Sequence, residues 1–243
     1  MIKFINYKYL FVRILKLSFS LVFSFIFLLI SLNFVQAEIV SKKTKGFEYY
    51  LLVPPDYNSS KSWPLIIAFH PSTGRGSSML DRFTESAEKK GYIVAGPNSA
   101  NSAYWYFSES KDVFRMIDEI KRDYSIDNSR IYLTGFSAGA IMTYYLGLKF
   151  PEKFRAIAPF SGRLRNMEQE GFIRLSRDKK QQLPVFILHG KTDNILNISE
   201  AVYAKERLAS FGYDVKLREL SGLGHEYPAY INWIIINWFE KLK

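Results

Sequence analysis

The residues with the clearest chemical potential form the pentapeptide Gly135-Phe136-Ser137-Ala138-Gly139. An apolar run at 130–134 precedes it, and a run typical of a helix follows at 140–146. A serine in a tight turn between strand and helix projects its hydroxyl, and flanking glycines let neighbouring backbone approach it. The helix N-terminus also places partial positive charge where a negative oxygen would form. Ser137 is therefore predicted to be a nucleophile, although so short a pattern also occurs by chance in turns.

A serine hydroxyl is a weak nucleophile until a base removes its proton, and an acid usually orients that base. The chain has three histidines, His70, His189 and His225. His70 precedes the serine, and His189 directly follows an apolar run, where it is expected to hold its loop in place. His225 alone has a suitably placed acid between itself and Ser137, in the common order of nucleophile, acid and histidine. We therefore predict that His225 is the general base.

The predicted orienting acid is Asp193, which lies in the loop after the apolar run at 185–188. A loop aspartate more often forms a turn or caps a helix, so this alternative stays open. Asp214 and Glu226 are the competing acids. Asp214 begins a predicted strand and so lies at the wrong edge of the sheet, while Glu226 adjoins His225 and would need a tight bend to reach it.

When a serine attacks a carbonyl carbon, the tetrahedral intermediate carries a negative oxygen, the oxyanion. This oxyanion needs two N–H donors. One is predicted to be the backbone N–H of Ala138, directly after the nucleophile, and the other comes from the loop after the third strand. In that loop Pro71 has no N–H. Ser72 is therefore the first candidate, with Thr73 behind it, unless these residues only turn the chain.

Trp105 is the candidate for substrate binding. It lies in an aromatic stretch, Tyr104-Trp105-Tyr106-Phe107, within a polar loop at 99–110. Flat rings can bind sugars or aromatic acyl groups, but such a cluster can equally pack its loop onto the sheet. Both interpretations remain open at this point.

The elements that must position these residues alternate along the chain. Apolar runs typical of strands lie at 47–53, 65–69, 92–95, 130–134, 156–160, 185–188 and 215–220, and helical patterns lie between and after them, at 79–90, 113–120, 200–211 and 230–242. This alternation predicts an α/β fold with a mostly parallel central sheet covered by helices on both faces. No repeat or linker divides residues 38–243, so one catalytic domain is expected, with 163–183 as a loop or small lid.

Residues 1–37 have a different character. Lys3, Lys8, Arg13 and Lys16 precede an uncharged apolar run at 17–32, and a small-residue pattern ends at Ala37. This order is typical of a secretory signal peptide cleaved after Ala37, which predicts a secreted or periplasmic protein free of the membrane after cleavage. The alternative is an uncleaved anchor, although the apolar run is shorter than the ~20 residues that a spanning helix needs.

The composition limits the function classes. The formal net charge is +10, but no clustered basic stripe or nucleic-acid motif accompanies it, so no nucleic-acid partner is expected. Anionic polymers remain open as partners. The chain has no cysteine, which excludes a thiol nucleophile and a cysteine metal site.

Over most of residues 38–243 the chain resembles the secreted esterase family that includes polyhydroxybutyrate depolymerases, feruloyl esterases and acetylxylan esterases. Pro71 stands where that family usually has glycine. The resemblance rests on these stretches in this order: Tyr50-Leu51-Leu52-Val53-Pro54, Pro64-Leu65-Ile66-Ile67-Ala68-Phe69-His70, residues 124–140, Pro151-Glu152-Lys153-Phe154, Ser161-Gly162, His189-Gly190-Lys191-Thr192-Asp193 and Gly222-Leu223-Gly224-His225.

The resemblance implies an α/β-hydrolase fold and a serine carboxylic-ester hydrolase that uses Ser137, Asp193 and His225, without a metal or other cofactor. Its substrate would be an ester on a small molecule, a polysaccharide or a polyester. Two other functions stay open: a serine peptidase or amidase of the same fold, and a binding module without catalysis.

Overall fold

The computed structural model describes residues 37–242, in which eight strands form one sheet. The order across the sheet is β1-β2-β4-β3-β5-β6-β7-β8. β1 and β2 form an antiparallel hairpin, β2 pairs antiparallel with β4, and every later pair is parallel. The strands are β1 (Glu38–Thr44), β2 (Phe47–Val53), β3 (Trp63–Phe69), β4 (Ile93–Pro97), β5 (Ile126–Phe136), β6 (Ala156–Phe160), β7 (Val185–Gly190) and β8 (Val215–Leu220).

Helices cover both faces of the sheet, each with its own apolar core. Helices α1 and α6 pack on one face, and α2, α3 and α5 pack on the other. The α-helices are α1 (Gly76–Lys90), α2 (Ser110–Asp123), α3 (Ala138–Lys149), α4 (Arg165–Gln169), α5 (Ser199–Ser210) and α6 (Tyr230–Phe239). Among these described helices, none combines the length and apolar character that a membrane crossing requires. The predicted α/β fold with helices on both faces is confirmed.

The burial of the strands follows from their sequence. Every residue of β3 is buried, as expected for a continuous apolar strand that is covered on both faces. β8 lies at the edge, and its alternation of partly buried and exposed residues matches its mixed sequence. The parallel strands end at one edge, and there the loops after β3, β5 and β7 meet.

Three features differ from the sequence-based expectations or lie beyond them. β1 carries Lys42 and Lys43 and shows no strong apolar pattern, so the sequence did not predict it. Residues 163–183 contain α4 and bury Leu164, Met167 and Ile173 in the core beside α3 and α5, so this segment is packed rather than a free lid. The predicted signal peptide, except Ala37, lies outside the described residues.

Candidate active site

Ser137 lies at the tip of the turn between β5 and α3 and has a strained backbone. Its φ is 55° and its ψ is −116°, values that residues with a side chain rarely adopt. The Ser137 N–H donates to the carbonyl of Phe160 at 3.0 Å, and the Ser137 carbonyl accepts from the N–H groups of Ala140 and Ile141. The neighbouring strand and the helix therefore hold the conformation that aims the hydroxyl away from the sheet.

The second glycine of the pentapeptide lets the loop after β3 lie against this turn. A Cβ on Gly139 would lie 2.1 Å from the carbonyl oxygen of Phe69 and 2.7 Å from that of His70. Only glycine permits so close an approach. Because glycine at position 139 has no side chain, the candidate oxyanion loop can lie beside the nucleophile.

The three predicted triad side chains form one hydrogen-bonded chain. The Ser137 Oγ lies 2.9 Å from the Nε2 of His225, and the Nδ1 of His225 lies 2.7 Å from the Oδ2 of Asp193. Because a carboxylate only accepts, Nδ1 carries the proton and donates to Asp193. The Nε2 lone pair is then free to accept the serine proton, which is the arrangement that general-base activation requires.

Backbone contacts bring the acid and histidine loops together. The N–H of Thr192 donates to the carbonyl of Leu223 at 3.1 Å, and Lys191 N–H donates to that of Leu220. A Cβ on Gly190 would lie only 2.3 Å from the Leu223 carbonyl oxygen. The loop that carries His225 therefore rests on the loop that carries Asp193.

Asp193 is buried, with 4% of its surface exposed, and its charge is supported by donors. Its Oδ1 accepts from the N–H groups of Ile195 and Leu196 at 3.0 and 2.8 Å, and its Oδ2 accepts from His225. Burial alone would raise the pKa of Asp193, but the hydrogen bonds from His225, Leu196 and Ile195 outweigh it and hold the pKa below its ordinary value. The turn-forming role that the sequence left open for Asp193 is thus present together with the contact to His225.

The remaining candidate residues, His189, Asp214 and Glu226, are not part of the hydrogen-bonded chain from Ser137 to Asp193. Nε2 of His189 donates to the Leu196 carbonyl at 2.7 Å, so His189 holds the acid loop, as predicted. Burial lowers the pKa of His189, which leaves it neutral beside Asp193. Asp214 lies before β8 at the opposite edge, where its carbonyl accepts from Val185, and Glu226 is exposed.

The backbone N–H groups of the loop after β3 differ in whether they already have an acceptor. Thr73 N–H donates to the carbonyl of Ser102 at 2.5 Å, and Gly74 N–H donates to that of Pro71 at 3.0 Å. Ser72 N–H has no acceptor among residues 37–242. Of the two candidates from the sequence, the geometry therefore favours Ser72 over Thr73 as the partner of the Ala138 N–H.

Trp105 occupies a packing position rather than an open platform. It is 7% exposed, its Nε1–H donates to the His70 carbonyl at 3.0 Å, and its ring lies against those of Phe69 and His70. Of the two interpretations the sequence left open, the structure therefore supports the packing of the loop onto β3. The exposed rings of this loop are instead those of Tyr104 and Tyr106, at 46% and 43%.

Two contacts at the site had no signal in the sequence. The ring of Phe136 lies 4.8 Å from that of His225 and supports the imidazole from one side. Glu109 is buried, and its carboxylate accepts from the N–H groups of Ala100 and Tyr106, both at 2.7 Å, which fixes the loop that holds Trp105. Both depend on loop paths that residue spacing does not reveal.

Comparison with known proteins finds esterases among the proteins that this chain resembles. A family model described as phospholipase/carboxylesterase matches residues 106–239, which is more than half of the chain. A bifunctional acetylxylan esterase/xylanase of Neocallimastix patriciarum is 28% identical over 168 residues, covering 65% of this chain and 23% of the relative. A probable feruloyl esterase C of Aspergillus terreus is 30% identical over 170 residues, covering 65% of this chain and 58% of the relative. The chain thus spans less than two thirds of the length of these relatives.

A solved structure shares the fold. The acetyl xylan esterase from Aspergillus awamori superimposes with a TM-score of 0.69 at 19% identity, covering 84% of this chain and 99% of that chain. At this identity the match establishes the shared architecture, not the substrate.

Proposed function

The chain belongs to the phospholipase/carboxylesterase family, and we propose that it is a secreted serine esterase that hydrolyses carboxylic esters by acyl transfer. The observation that carries the proposal is the continuous chain of hydrogen bonds from Ser137 through His225 to Asp193. The esterases among its relatives support the same reaction class. Secretion rests on the predicted signal peptide in residues 1–37.

In the proposed reaction His225 takes the hydroxyl proton of Ser137 as its oxygen attacks the ester carbonyl. The N–H groups of Ala138 and Ser72 stabilise the oxyanion, and Asp193 stabilises the imidazolium that forms. His225 then gives its proton to the leaving alkoxide, which departs as an alcohol and leaves an acyl group on Ser137. Water, deprotonated by His225, attacks the acyl-enzyme, and the acid product is released with the serine restored.

We propose carbohydrate-linked acetyl or feruloyl esters as the first substrate class, because relatives are named for those esters. Polyester is the second class. Both present an ester carbonyl to the same hydroxyl, so the mechanism does not separate them. The exposed rings of Tyr104 and Tyr106 favour a carbohydrate, since flat rings stack on sugars.

The test is hydrolysis of p-nitrophenyl acetate and butyrate by the full chain and by Ser137→Ala. Ser60→Ala is the matched control, since Ser60 is exposed in the loop before β3, at the opposite edge. We expect Ser137→Ala to lose several orders of magnitude in kcat, with its circular dichroism spectrum unchanged, and the control to match the wild type. Equal turnover in all three would refute the nucleophile. Cleavage of peptide p-nitroanilides in preference to the esters would show that the protein is a peptidase rather than an esterase.

A further inference from the structure

A polar cavity lies beside the proposed site and has no role in the mechanism above. It measures about 890 Å³, and its walls include His70 and Thr73 of the oxyanion loop together with Lys43, Lys45 and Arg75. Resting on the proposed function, we propose that this cavity binds the alcohol part of the ester, and that this part is an oligosaccharide bearing uronate carboxylates.

The cavity lies at the edge of the sheet where Ser137 lies. β1 ends and β2 begins at this edge, because Thr44 pairs with Phe47 in the antiparallel hairpin, and Tyr49 pairs with Pro97 at the end of β4. Three strand intervals separate β5 from β2 and a fourth leads to β1, which at ~4.8 Å each gives roughly 14–19 Å. A ligand that reaches from Ser137 to the hairpin must therefore be an oligomer rather than a small ester.

The charged side chains in the cavity walls differ in whether they have partners. The three carboxylates have partners: Glu109 accepts from backbone N–H groups, Glu48 accepts from Asn98 at 2.6 Å, and Asp112 pairs with Arg115 at 3.0 Å. In contrast, the exposed cations at Lys43, Lys45 and Arg75 form no ion pair within residues 37–242. Neutral donors leave Glu48 and Glu109 charged, so the cations, with Arg115 included, outnumber the carboxylates by only one. The three unpaired cations are exposed, however, whereas Glu109 is buried and the other two carboxylates are half-buried. A ligand entering the cavity therefore meets these cations first, which favours an anionic ligand.

Lys45 occupies a backbone position that does not suit lysine. It forms the two-residue turn between β1 and β2 with Gly46, and both residues have positive φ, 45° and 88°. Such turns favour Asn-Gly, because the left-handed conformation is unfavourable for a residue with an ordinary side chain. The turn therefore does not account for lysine at this position, whereas its charge lies on the rim of a cavity with two other unpaired cations.

The neighbouring loop favours a carbohydrate over other polyanions. Ser99, Ala100 and Ser102 of the 99–110 loop line the cavity, and the same loop exposes the rings of Tyr104 and Tyr106, whose hydroxyls lie 2.7 Å apart. Sugars carry the hydroxyls on which esters form, and their faces stack on such rings. A uronate chain therefore supplies the ester, the stacking face and the negative charge in one molecule.

The experiment compares two acetylated oligosaccharides of equal length and acetylation, an oligogalacturonate and a xylo-oligosaccharide. The full chain is assayed on both and on p-nitrophenyl acetate. We expect kcat/KM to be at least about tenfold higher for the oligogalacturonate at low salt. The preference should vanish in 1 M NaCl, where the screening length is only about 3 Å.

The decisive variant is Lys45→Asn, which removes the charge. Because asparagine suits the turn, the variant is expected to fold, and a lower preference for the oligogalacturonate cannot be attributed to misfolding. We expect the ratio of kcat/KM between the two oligosaccharides to fall, and to approach one when Lys43→Gln and Arg75→Gln are added. Lys61→Asn, the same charge change in the loop at the opposite edge, should leave the ratio unaltered.

The outcomes separate the two proposals. Turnover of p-nitrophenyl acetate with equal rates on both oligosaccharides would overturn the uronate site and leave the esterase standing, whereas no turnover of any ester would overturn the esterase. A preference that survives in the triple variant would place the anion elsewhere. If a single-stranded DNA oligonucleotide inhibits as strongly as unesterified oligogalacturonate, the cavity binds polyanions in general, and the proposed carbohydrate specificity is wrong.

Discussion

The oxyanion role of Ser72 can be tested with a substitution that the local turn accepts. Gly74 N–H donates to the Pro71 carbonyl at 3.0 Å, and Thr73, the third residue of this four-residue turn, has a φ of 61°. A positive φ at that position alone defines a type II turn, whose second residue is commonly proline. Ser72→Pro therefore suits the backbone and replaces the N–H and the hydroxymethyl group by the proline ring.

The expected loss follows from the number of donors. The proposed oxyanion site has two N–H groups, on Ala138 and Ser72, because the N–H of Thr73 already donates to Ser102. Removing one donor from such a site typically lowers kcat by about 10²–10³, or roughly 2.7–4 kcal/mol in the transition state. Ser72→Ala keeps the N–H, and its kcat should stay close to that of the wild type.

The assay is steady-state hydrolysis of p-nitrophenyl acetate by both variants, with urea unfolding to verify that the fold is intact. The loss should appear in kcat, since the oxyanion forms only as the carbonyl is attacked. Two results would contradict the oxyanion role of the Ser72 N–H: full activity in a folded Ser72→Pro protein, or an equal loss in Ser72→Ala, which would assign the role to the side chain.

Three further predictions follow from named contacts. Asp193→Asn should lower kcat on p-nitrophenyl acetate by about 10⁴, because His225 loses the partner that fixes its tautomer; a loss below tenfold would contradict its assignment. Gly139→Ala should lower both kcat and the free energy of unfolding, the latter by about 1–3 kcal/mol, since its Cβ would lie 2.1 Å from a backbone oxygen; unaltered urea unfolding would disprove the close packing. Burial lowers the pKa of His70 and His189, whereas unfolded histidines titrate near 6.5. Below that pH the unfolded chain binds more protons, so the free energy of unfolding should fall by up to about 1.4 kcal/mol per pH unit for each histidine, and a urea midpoint equal at pH 7.5 and 5.5 would exclude this linkage.

Much of the architecture was predictable because it depends on local pattern. The apolar run that became β3 is buried along its whole length, and its carboxyl end leads into the loop of Ser72. The spacing of Ser137, Asp193 and His225 placed each after a predicted strand, and parallel strands bring such loops to one edge. Order along the chain and sheet topology together were therefore sufficient to nominate three side chains that the structure brings into contact.

The parts that sequence reasoning missed or left open depend on contacts between distant loops. Trp105 belongs to an aromatic stretch whose members separate in space, one buried under the loop after β3 and two exposed. Glu109 resembles any helix-initiating acid until its buried carboxylate is seen to anchor backbone N–H groups. β1 forms because β2 offers an unpaired edge, and its own lysines give no apolar signal. Neither the spacing of apolar residues nor a sequence motif indicates the position of Trp105, the role of Glu109 or the presence of β1.

The residues proposed for acyl transfer and those proposed for binding the alcohol lie in partly different segments of the chain. The family match begins at residue 106, and so it includes Ser137, Asp193 and His225 but neither the oxyanion loop nor the hairpin tip at Lys45. The family match therefore covers the three proposed triad residues, while Ser72 and the three cations at the rim of the cavity lie in the preceding segment. Because the antiparallel pairing of β2 with β4 brings the hairpin tip to the edge where Ser137 lies, we expect changes at Lys45 to alter the choice of ester more than the rate at which a small ester is cleaved.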